Sequence, residues 1–306
     1  MAYRLVEGES VRDGVARIAR EQIDKAIAEI EDSDLSQHEA VHQVRKRCKK
    51  IRGLIRLVRP ALGKAYDEEN AWYRDAAADL SGARDAQSVI AAYDQLVSHF
   101  GDQIDKEAFV PIRAELVRRR ERITEDGTAL KEKIDAFGER MREGRRRSDS
   151  WKLGETGFEA VAGGLLKTYD RARRALPEAY DCGTAESFHE WRKRVKYHWY
   201  HTRLLRSLWS PVLKGRRSES KRLADLLGND HDLTVLHQTL IDQAADFGDE
   251  HTLDAVVVLI ARRQAELRAD AEPVGRRLFA ENAKRFGKRF EEYWDAWQSE
   301  PNAGID

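Results

Sequence analysis

Apolar residues recur every three or four positions along nearly the whole chain, the spacing expected for one face of an α-helix. The first such run extends from Ser10 to about Asp32. The second begins at Ser36, where Glu39 completes the pattern of a capping box, and we expect it to stop at Pro60. Further helices are predicted at about 66–80, 85–99, 105–125 and 128–147. Few segments alternate β-branched and polar residues, so the sequence predicts an all-α protein.

The same helical pattern starts again after Glu143–Ser150, and the two parts of the sequence are related. At a constant offset of 147 residues, His42–Arg59 aligns without a gap with His189–Arg206. Identical residues fall at His42/His189, Arg45/Arg192, Lys46/Lys193, Arg47/Arg194, Lys49/Lys196, Arg56/Arg203, Arg59/Arg206 and, further along, Asp85/Asp232. So many matches at one offset indicate an internal duplication.

The repeated helix is predicted to carry one charged side and one apolar side. At about 100° per residue its basic residues share one sector, here called the first basic face: His42, Arg45, Lys46, Lys49, Arg52, Arg56 and Arg59. The apolar residues fall on the other side of the helix: Val41, Val44, Cys48, Ile51, Leu54, Ile55 and Val58. The second copy repeats the charged pattern in the second basic face: His189, Arg192, Lys193, Lys196, Arg203 and Arg206.

These two faces stand out because the whole chain is electrically neutral, with 54 basic and 54 acidic residues. A single basic helix is usually a solvated surface whose charges pair with acids on neighbouring helices. Repetition of the same residues in both halves favours a function instead, in which both faces line one positive cleft that binds a linear polyanion. His42 and His189 would then become cations beside phosphate, or alternatively would only orient a neighbouring side chain.

Composition argues against several other classes of protein. Two cysteines, Cys48 and Cys182, without a CxxC pair argue against zinc ribbons and disulfide scaffolds. The longest apolar run, Ala255–Ala261, is far shorter than the ~20 residues of a membrane helix. The N-terminus lacks the apolar core of a signal peptide. We therefore expect a soluble, cytoplasmic protein.

His38, Glu39 and His42 spell HExxH, the zinc-protease signature. The adjacent basic run opposes Zn²⁺ binding, and His38 aligns with Ala185 rather than with a second histidine. We therefore expect no metal site at this motif.

Two other patterns have a structural and a chemical interpretation. His198 and His201 could chelate a metal, but their aromatic neighbours favour a packed role. Asp85 and Asp232 follow LSGAR and LGNDH and are expected to cap or brace helices that begin there, with a salt bridge to an arginine of a basic face as the alternative. No phosphate-binding loop, dinucleotide fingerprint or nucleophile elbow occurs, so hydrolase chemistry lacks its usual motifs.

The repeated HxxRKRxK helix, followed by LSGARD in one half and LGNDHD in the other, resembles the CHAD family, named for histidines on an α-helical domain. The resemblance covers nearly the whole chain, and its specific part lies in residues 36–90 and 183–236. It implies an all-α fold of two four-helix-bundle halves, related by pseudo-twofold symmetry around a central basic channel. For this chain the resemblance implies a single domain, residues 1–306, whose halves are residues 1–147 and 148–306.

CHAD domains bind inorganic polyphosphate and are not known as enzymes in their own right. The resemblance therefore implies polyphosphate binding without catalysis and without a cofactor. Carried over by position, the implied binding residues are His42, Arg45, Lys46, Lys49, Arg52, Arg56, His189, Arg192, Lys193, Lys196 and Arg203, with Arg20 and Lys167 added from the matched first helices. His231 stands where the family has an arginine, and Trp199 and Tyr200 replace Arg52 and Gly53. We therefore expect the two basic faces to contribute unequally.

The resemblance also suggests partners and a location. Polyphosphate-metabolising enzymes or granule proteins are expected as partners, and polyphosphate granules as a location. Two other functions stay open. One is nucleic-acid binding, although neither basic face is interleaved with the exposed aromatics that base stacking requires. The other is a metal-dependent phosphohydrolase that uses His38, Glu39 and His42.

Overall fold

The computed structural model describes the backbone of residues 3–80, 82–124 and 127–300. It also describes their side chains, except those of residues 82–85, 123–124 and 127–128. The described residues form twelve α-helices and one 3-10 helix and contain no strand, so the all-α prediction is confirmed. In chain order the α-helices are α1 (Val11–Glu31), α2 (Gln37–Leu57), α3 (Arg59–Leu62), α4 (Ala65–Ala78), α5 (Gly82–His99), α6 (Lys106–Thr124), α7 (Gly127–Asp149), α8 (Glu159–Cys182), α9 (Ala185–Leu204), α10 (Ser210–Asp242), α11 (Glu250–Leu278) and α12 (Ala283–Ser299). The 3-10 helix, Ala244–Phe247, lies between α10 and α11. No helix in the described part of the chain combines the length and the apolarity that a membrane crossing requires.

The predicted helix starts are confirmed where a side chain caps the helix. Ser10 Oγ accepts a hydrogen bond from Asp13 N at the start of α1. At α2, Ser36 Oγ accepts from Glu39 N while the Glu39 carboxylate accepts from Ser36 N, which completes the capping box. α2 ends at Leu57, just before α3, which contains the proline predicted to stop it. The bounds of α4 to α7 lie within a few residues of their predicted positions.

The two halves repeat their first helices more closely than their later ones. α1 and α2 correspond to α8 and α9 at the 147-residue offset. α4 and α5 together correspond to the single 33-residue helix α10. Asp232 therefore lies inside α10, and the expectation that it caps a helix beginning there is wrong because no helix begins at that point. The side chain of Asp85 lies outside the described residues.

Two apolar clusters hold the helices together, and each draws on both halves. The larger cluster combines buried residues of α1 to α4 and α7 with residues of α8 to α12. The smaller cluster joins α5 and α6 to the C-terminal part of α10 and the first part of α11. The halves are therefore packed into each other rather than merely linked.

α2 and α9 meet at equivalent positions, as two repeated helices must where a pseudo-twofold axis passes between them. Gly53 lies against Tyr200, the residue that matches it at the 147-residue offset, and a Cβ built on Gly53 would lie 2.9 Å from Tyr200 Cβ. His201 Nε2 donates a hydrogen bond to Gly53 O at 3.1 Å, and His201 is fully buried. A glycine on one helix thus makes room for a tyrosine on the other. This explains why the repeat departs from identity here.

Replacing Gly53 with alanine should destabilise the protein, although alanine is the better helix former. The added Cβ would overlap Tyr200 Cβ and would lie 3.1 Å from the Tyr3 hydroxyl. We expect the free energy of unfolding to fall by about 1–3 kcal/mol, as measured by urea denaturation. Gly215→Ala in α10, where nothing lies within 4 Å of the added Cβ, is the matched control. That control should gain about 0.5–1 kcal/mol, and equal effects of the two substitutions would contradict the close crossing.

Candidate anion-binding site

The apolar side of α2 is buried, which fixes the direction of its basic face. All seven residues predicted for that side are at most 1% exposed: Val41, Val44, Cys48, Ile51, Leu54, Ile55 and Val58. Removing these side chains from water stabilises this orientation of the helix. The first basic face therefore points away from the core. His42 and Lys46 are exposed, and the other predicted binding residues of α2 are half-buried: Arg45, Lys49, Arg52 and Arg56.

Two arginines of the first basic face are held by uncharged groups. Arg52 Nε donates to Asn70 Oδ1 at 3.3 Å, and Arg56 Nη1 donates to the Tyr66 hydroxyl at 2.9 Å. The Arg56 guanidinium also lies over the ring of Tyr197 on α9, with 4.1 Å between Cζ and the ring centroid. These contacts orient the guanidinium groups without neutralising their charge.

The neighbouring arginine of the repeated motif has a different kind of partner. Arg47 forms a salt bridge with Glu29 on α1, and its counterpart Arg194 pairs with Glu190 at 3.0 Å. Lys193 of the second basic face also pairs with Glu190. Arg47 and Arg194 are therefore neutralised in place, whereas Arg52 and Arg56 contact uncharged acceptors.

At the start of the second basic face, His189 contacts a histidine of α10. The Nδ1 atoms of His189 and His231 lie 3.0 Å apart, so one ring donates to the other. Burial lowers the pKa of His189, and the nearby Lys193 and Arg192 lower it further. Burial and the same cations lower the pKa of His231 to about 4. Neither histidine is therefore a cation at neutral pH in this structure.

The rest of the second basic face follows α9 to its C-terminal end. Arg192 lies beside Gly228 of α10. The Arg203 guanidinium lies over the rings of Trp199 and Tyr3, with 4.9 and 5.3 Å between Cζ and the centroids. Lys196 is half-buried between these two arginines along the helix. Arg203 matches Arg56 in the repeat, so each repeated helix carries in its last turn an arginine that rests on aromatic rings.

Burial, together with neighbouring positive charges, lowers pKa values around the two helices. Burial, followed by Arg47 and Arg203, lowers the pKa of Lys50 to about 7. Lys50 could not be singled out from the repeat, because it aligns with Tyr197 and not with a second cation. Burial and neighbouring arginines also lower the pKa of Arg206. The cations repel one another, and a bound anion would relieve that repulsion.

Arg20 and Lys167 occupy matched positions but have different surroundings. Arg20 Nε pairs with Asp149 Oδ1 at 2.6 Å, at the end of α7. Lys167 lines a small cleft together with Arg56 and three other cations: Arg59, Arg171 and Arg194. The structure thus brings Lys167 to the first basic face and leaves Arg20 paired with an acid. Sequence reasoning missed Arg171, because it aligns with an aspartate in the first half.

Three of the residues considered as metal ligands, Glu39, His198 and His201, have structural roles. The Glu39 carboxylate caps α2, as described above. His198 Nε2 accepts a hydrogen bond from Arg216 at 3.2 Å and His201 contacts Gly53, with both histidines at most 1% exposed. Their packed role is confirmed. The described residues contain no group of three or more histidine, cysteine, aspartate or glutamate side chains arranged to hold a metal ion.

A larger cavity lies between α5, α10 and α11, away from the basic faces. Its walls include Asp94, His99, Asp232 and Arg263. His99 Nε2 and Arg263 both contact Glu266, at 2.8 and 2.9 Å, so opposite charges are paired beside this cavity. None of the predicted binding residues lines it.

Removing His231 should weaken the dependence of stability on pH. Its pKa is about 4 in the folded protein, against about 6.5 in an unfolded chain, so the unfolded chain binds more protons between these values. Wild-type stability should therefore fall as the pH falls from 7 towards 4. We expect the free energy of unfolding to fall less in His231→Gln than in the wild type. The control is His251→Gln, at an exposed histidine of α11, whose stability should fall as in the wild type. Urea unfolding at pH 7 and pH 5 measures this. A fall as steep in His231→Gln as in the wild type would contradict the assignment.

Comparison with known proteins agrees with this architecture. The CHAD domain family matches residues 17–241, which include both basic faces. The fold is similar to that in the crystal structure of the CHAD domain from the plant Ricinus communis, with a TM-score of 0.58 and 16% sequence identity, over 92% of this chain and 96% of that chain. No curated protein matches the sequence. Because the family match extends over well more than half of the sequence, this chain belongs to the CHAD domain family.

Proposed function

We propose that this protein binds inorganic polyphosphate along its two basic faces, without catalysing a reaction. The observation that carries the proposal is the meeting of two repeated basic helices at Gly53 and Tyr200. At the ends of these helices Arg56 and Arg203 rest on aromatic rings. Because the helices meet at equivalent positions, we expect their basic faces to form one positive surface, the central channel that the family implies.

The chemistry of the two faces suits a linear chain of phosphates. Each arginine can donate two parallel hydrogen bonds to phosphate oxygens, and each lysine supplies a compact positive charge. Neutralising the chain releases its counterions, so binding should be strong at low salt and weaker at high salt. Membership of the CHAD family, which is associated with polyphosphate, supports this ligand.

Nucleic acid suits the same charges less well. Base stacking requires aromatic faces that are open to the ligand. The rings of Tyr197 and Trp199 are instead covered by the guanidinium groups of Arg56 and Arg203. Single-stranded RNA should therefore fail to displace polyphosphate at an equal phosphate concentration.

Reversing four charges of the basic faces should abolish binding. In the variant Arg45→Glu, Lys49→Glu, Arg192→Glu and Lys196→Glu, attraction for phosphate becomes repulsion. We expect affinity for long-chain polyphosphate to fall by at least about 100-fold at physiological salt. Fluorescence anisotropy with end-labelled polyphosphate measures this, and far-ultraviolet circular dichroism checks that the variant stays helical.

The matched control makes the same change in net charge elsewhere. Arg277, Lys284, Arg285 and Lys288 are exposed cations of α11 and α12. Their replacement by glutamate should preserve most of the affinity, because only long-range attraction is lost. Wild-type affinity in the folded basic-face variant, or equal losses in both variants, would contradict the proposal.

The salt dependence of binding should report the phosphate contacts directly. In a single-stranded polyanion, each phosphate that the protein neutralises contributes about 0.7 to the slope of log affinity against log salt concentration. We apply the same value to polyphosphate. Replacing Lys49 and Lys196 with methionine should therefore reduce the slope by roughly 1.4. A titration at four salt concentrations tests this. An unchanged slope would show that these two lysines make no contact with phosphate.

Location and protein partners belong to the same proposal. A polyphosphate-binding domain in the cytoplasm would be drawn to polyphosphate granules, and enzymes that make or degrade the polymer would meet it there. Binding in itself would then serve targeting or storage.

A further inference from the structure

A small cleft at the junction of the two halves gathers five cations. It lies between the C-terminal end of α2, α3, α4, α8 and α9, and we call it the junction cleft. Its cations are Arg56, Arg59, Lys167, Arg171 and Arg194. The space between its walls, counted with the solvent at its open mouth, is about 320 Å³, of which about 20 Å³ is accessible to the centre of a water molecule.

Aromatic groups orient two of these cations. Arg56 donates to the Tyr66 hydroxyl and lies over Tyr197, as described above. Arg59 lies over the ring of Tyr66, with 4.3 Å between Arg59 Cζ and the ring centroid. Both guanidinium groups are thus held in place while their charge is left for a ligand.

Acidic side chains neutralise little of the remaining charge. Arg194 pairs with Glu190 at 3.0 Å. Within the described part of the chain, Arg59, Lys167 and Arg171 form no salt bridge within 4 Å. Asp67 acts on Lys167 only through space. Of the five cations, only Arg194 is therefore directly paired with a carboxylate in the described part of the chain.

The equivalent positions of the first half carry acids instead. Thr168 of the junction cleft aligns with Glu21, which pairs with Arg17 at 3.1 Å. Arg171 aligns with Asp24, which pairs with Arg145 at 2.7 Å. Lys167 aligns with Arg20, which is also paired with an acid, as described above. The duplication therefore places two acids among the cations of this place in the first half, and neither acid has a counterpart in the junction cleft.

The N-terminal segment occupies the copy of this place that holds the two acids. The Tyr3 hydroxyl donates to Lys50 O at 2.7 Å, and Leu5 N donates to Leu204 O at 2.9 Å. Lys50 aligns with Tyr197 of the junction cleft, and Leu204 aligns with Leu57 at the end of α2. Chain from residues 3–9 thus packs against one copy. In the other copy the cleft is open.

One wall of the junction cleft is closed by direct helix packing. A Cβ built on Gly164 of α8 would lie 2.0 Å from Leu57 O, so the two backbones touch. A phosphate chain cannot pass between α8 and the end of α2 at this contact. A wall closed on this side suits the end of a chain.

We infer that the junction cleft binds a terminal phosphoryl group, the doubly ionised end of a condensed phosphate. A terminal group approaches two negative charges at neutral pH, whereas an internal phosphate carries one, so the end is the better match for crowded cations. The repulsion is visible in the pKa of Lys167, which Arg59 lowers most strongly. The source of the group is either a polyphosphate end or a small diphosphate. A polyphosphate end as the source rests on the proposed function.

Isothermal titration of the full chain with inorganic pyrophosphate tests the cleft itself. Thr168→Glu introduces the acid of the first half and should weaken pyrophosphate binding by about tenfold or more relative to the equally large but uncharged Thr168→Gln. Arg59→Gln should likewise weaken binding, and Arg285→Gln, at an exposed cation of α12 outside both basic faces, should not. No pyrophosphate binding by the wild type, or equal affinities of the two Thr168 variants, would overturn the inference. Circular dichroism confirms the fold of each variant.

Two further experiments identify the source of the phosphoryl group and distinguish this inference from the proposed function. Short-chain polyphosphate with both ends capped as phosphoramidates should bind more weakly than the uncapped chain if the cleft takes chain ends. Equal binding of both would overturn the polyphosphate end as the source. If pyrophosphate binds as expected while the wild type has no affinity for long-chain polyphosphate, the inference about the cleft holds and the proposed function fails.

Discussion

The orientation of the two repeated helices is set where α2 touches α9, at Gly53 and Tyr200. Two copies of one helix can touch at equivalent positions only if their side chains there share the space, and Gly53 with Tyr200 does so by pairing the smallest residue with a large one. His201 fixes the contact through Gly53 O. The apolar sides of both helices are buried around this point, so their charged sides face away from the core. The position of the basic faces thus follows from packing.

The arginines of the two repeated helices fall into two groups according to the kind of side chain that each contacts. Arg47 and Arg194 sit against carboxylates, while Arg56 and Arg203 sit on aromatic rings. An ion pair neutralises a charge, whereas a ring orients it and leaves its field in place. The asymmetry between the halves has the same origin. Glu21, Asp24 and the N-terminal segment lie in one copy of the junction, and the other copy has no counterpart of them.

Much of this could be predicted from the sequence, because helix caps, apolar periodicity and the repeat are local or one-dimensional signals. The capping box at Ser36 and the buried side of α2 are examples. The interior position of Asp232 could not be predicted in this way, because α10 runs without a break where the first half has two helices. Lys50 and Arg171 were missed for a different reason. Each gains its surroundings from helices distant in sequence, and neither is repeated. The pairing of Arg20 with Asp149 likewise depends on how α7 packs on α1.

A structure of the protein in complex with long-chain polyphosphate would show whether both basic faces bind the polymer. We expect phosphate density along both basic faces, on either side of the contact between Gly53 and Tyr200, within hydrogen-bonding distance of Arg45, Lys49, Arg192 and Lys196. Density that follows only one basic face, or that lies on the exposed cations of α11 and α12, would contradict this expectation.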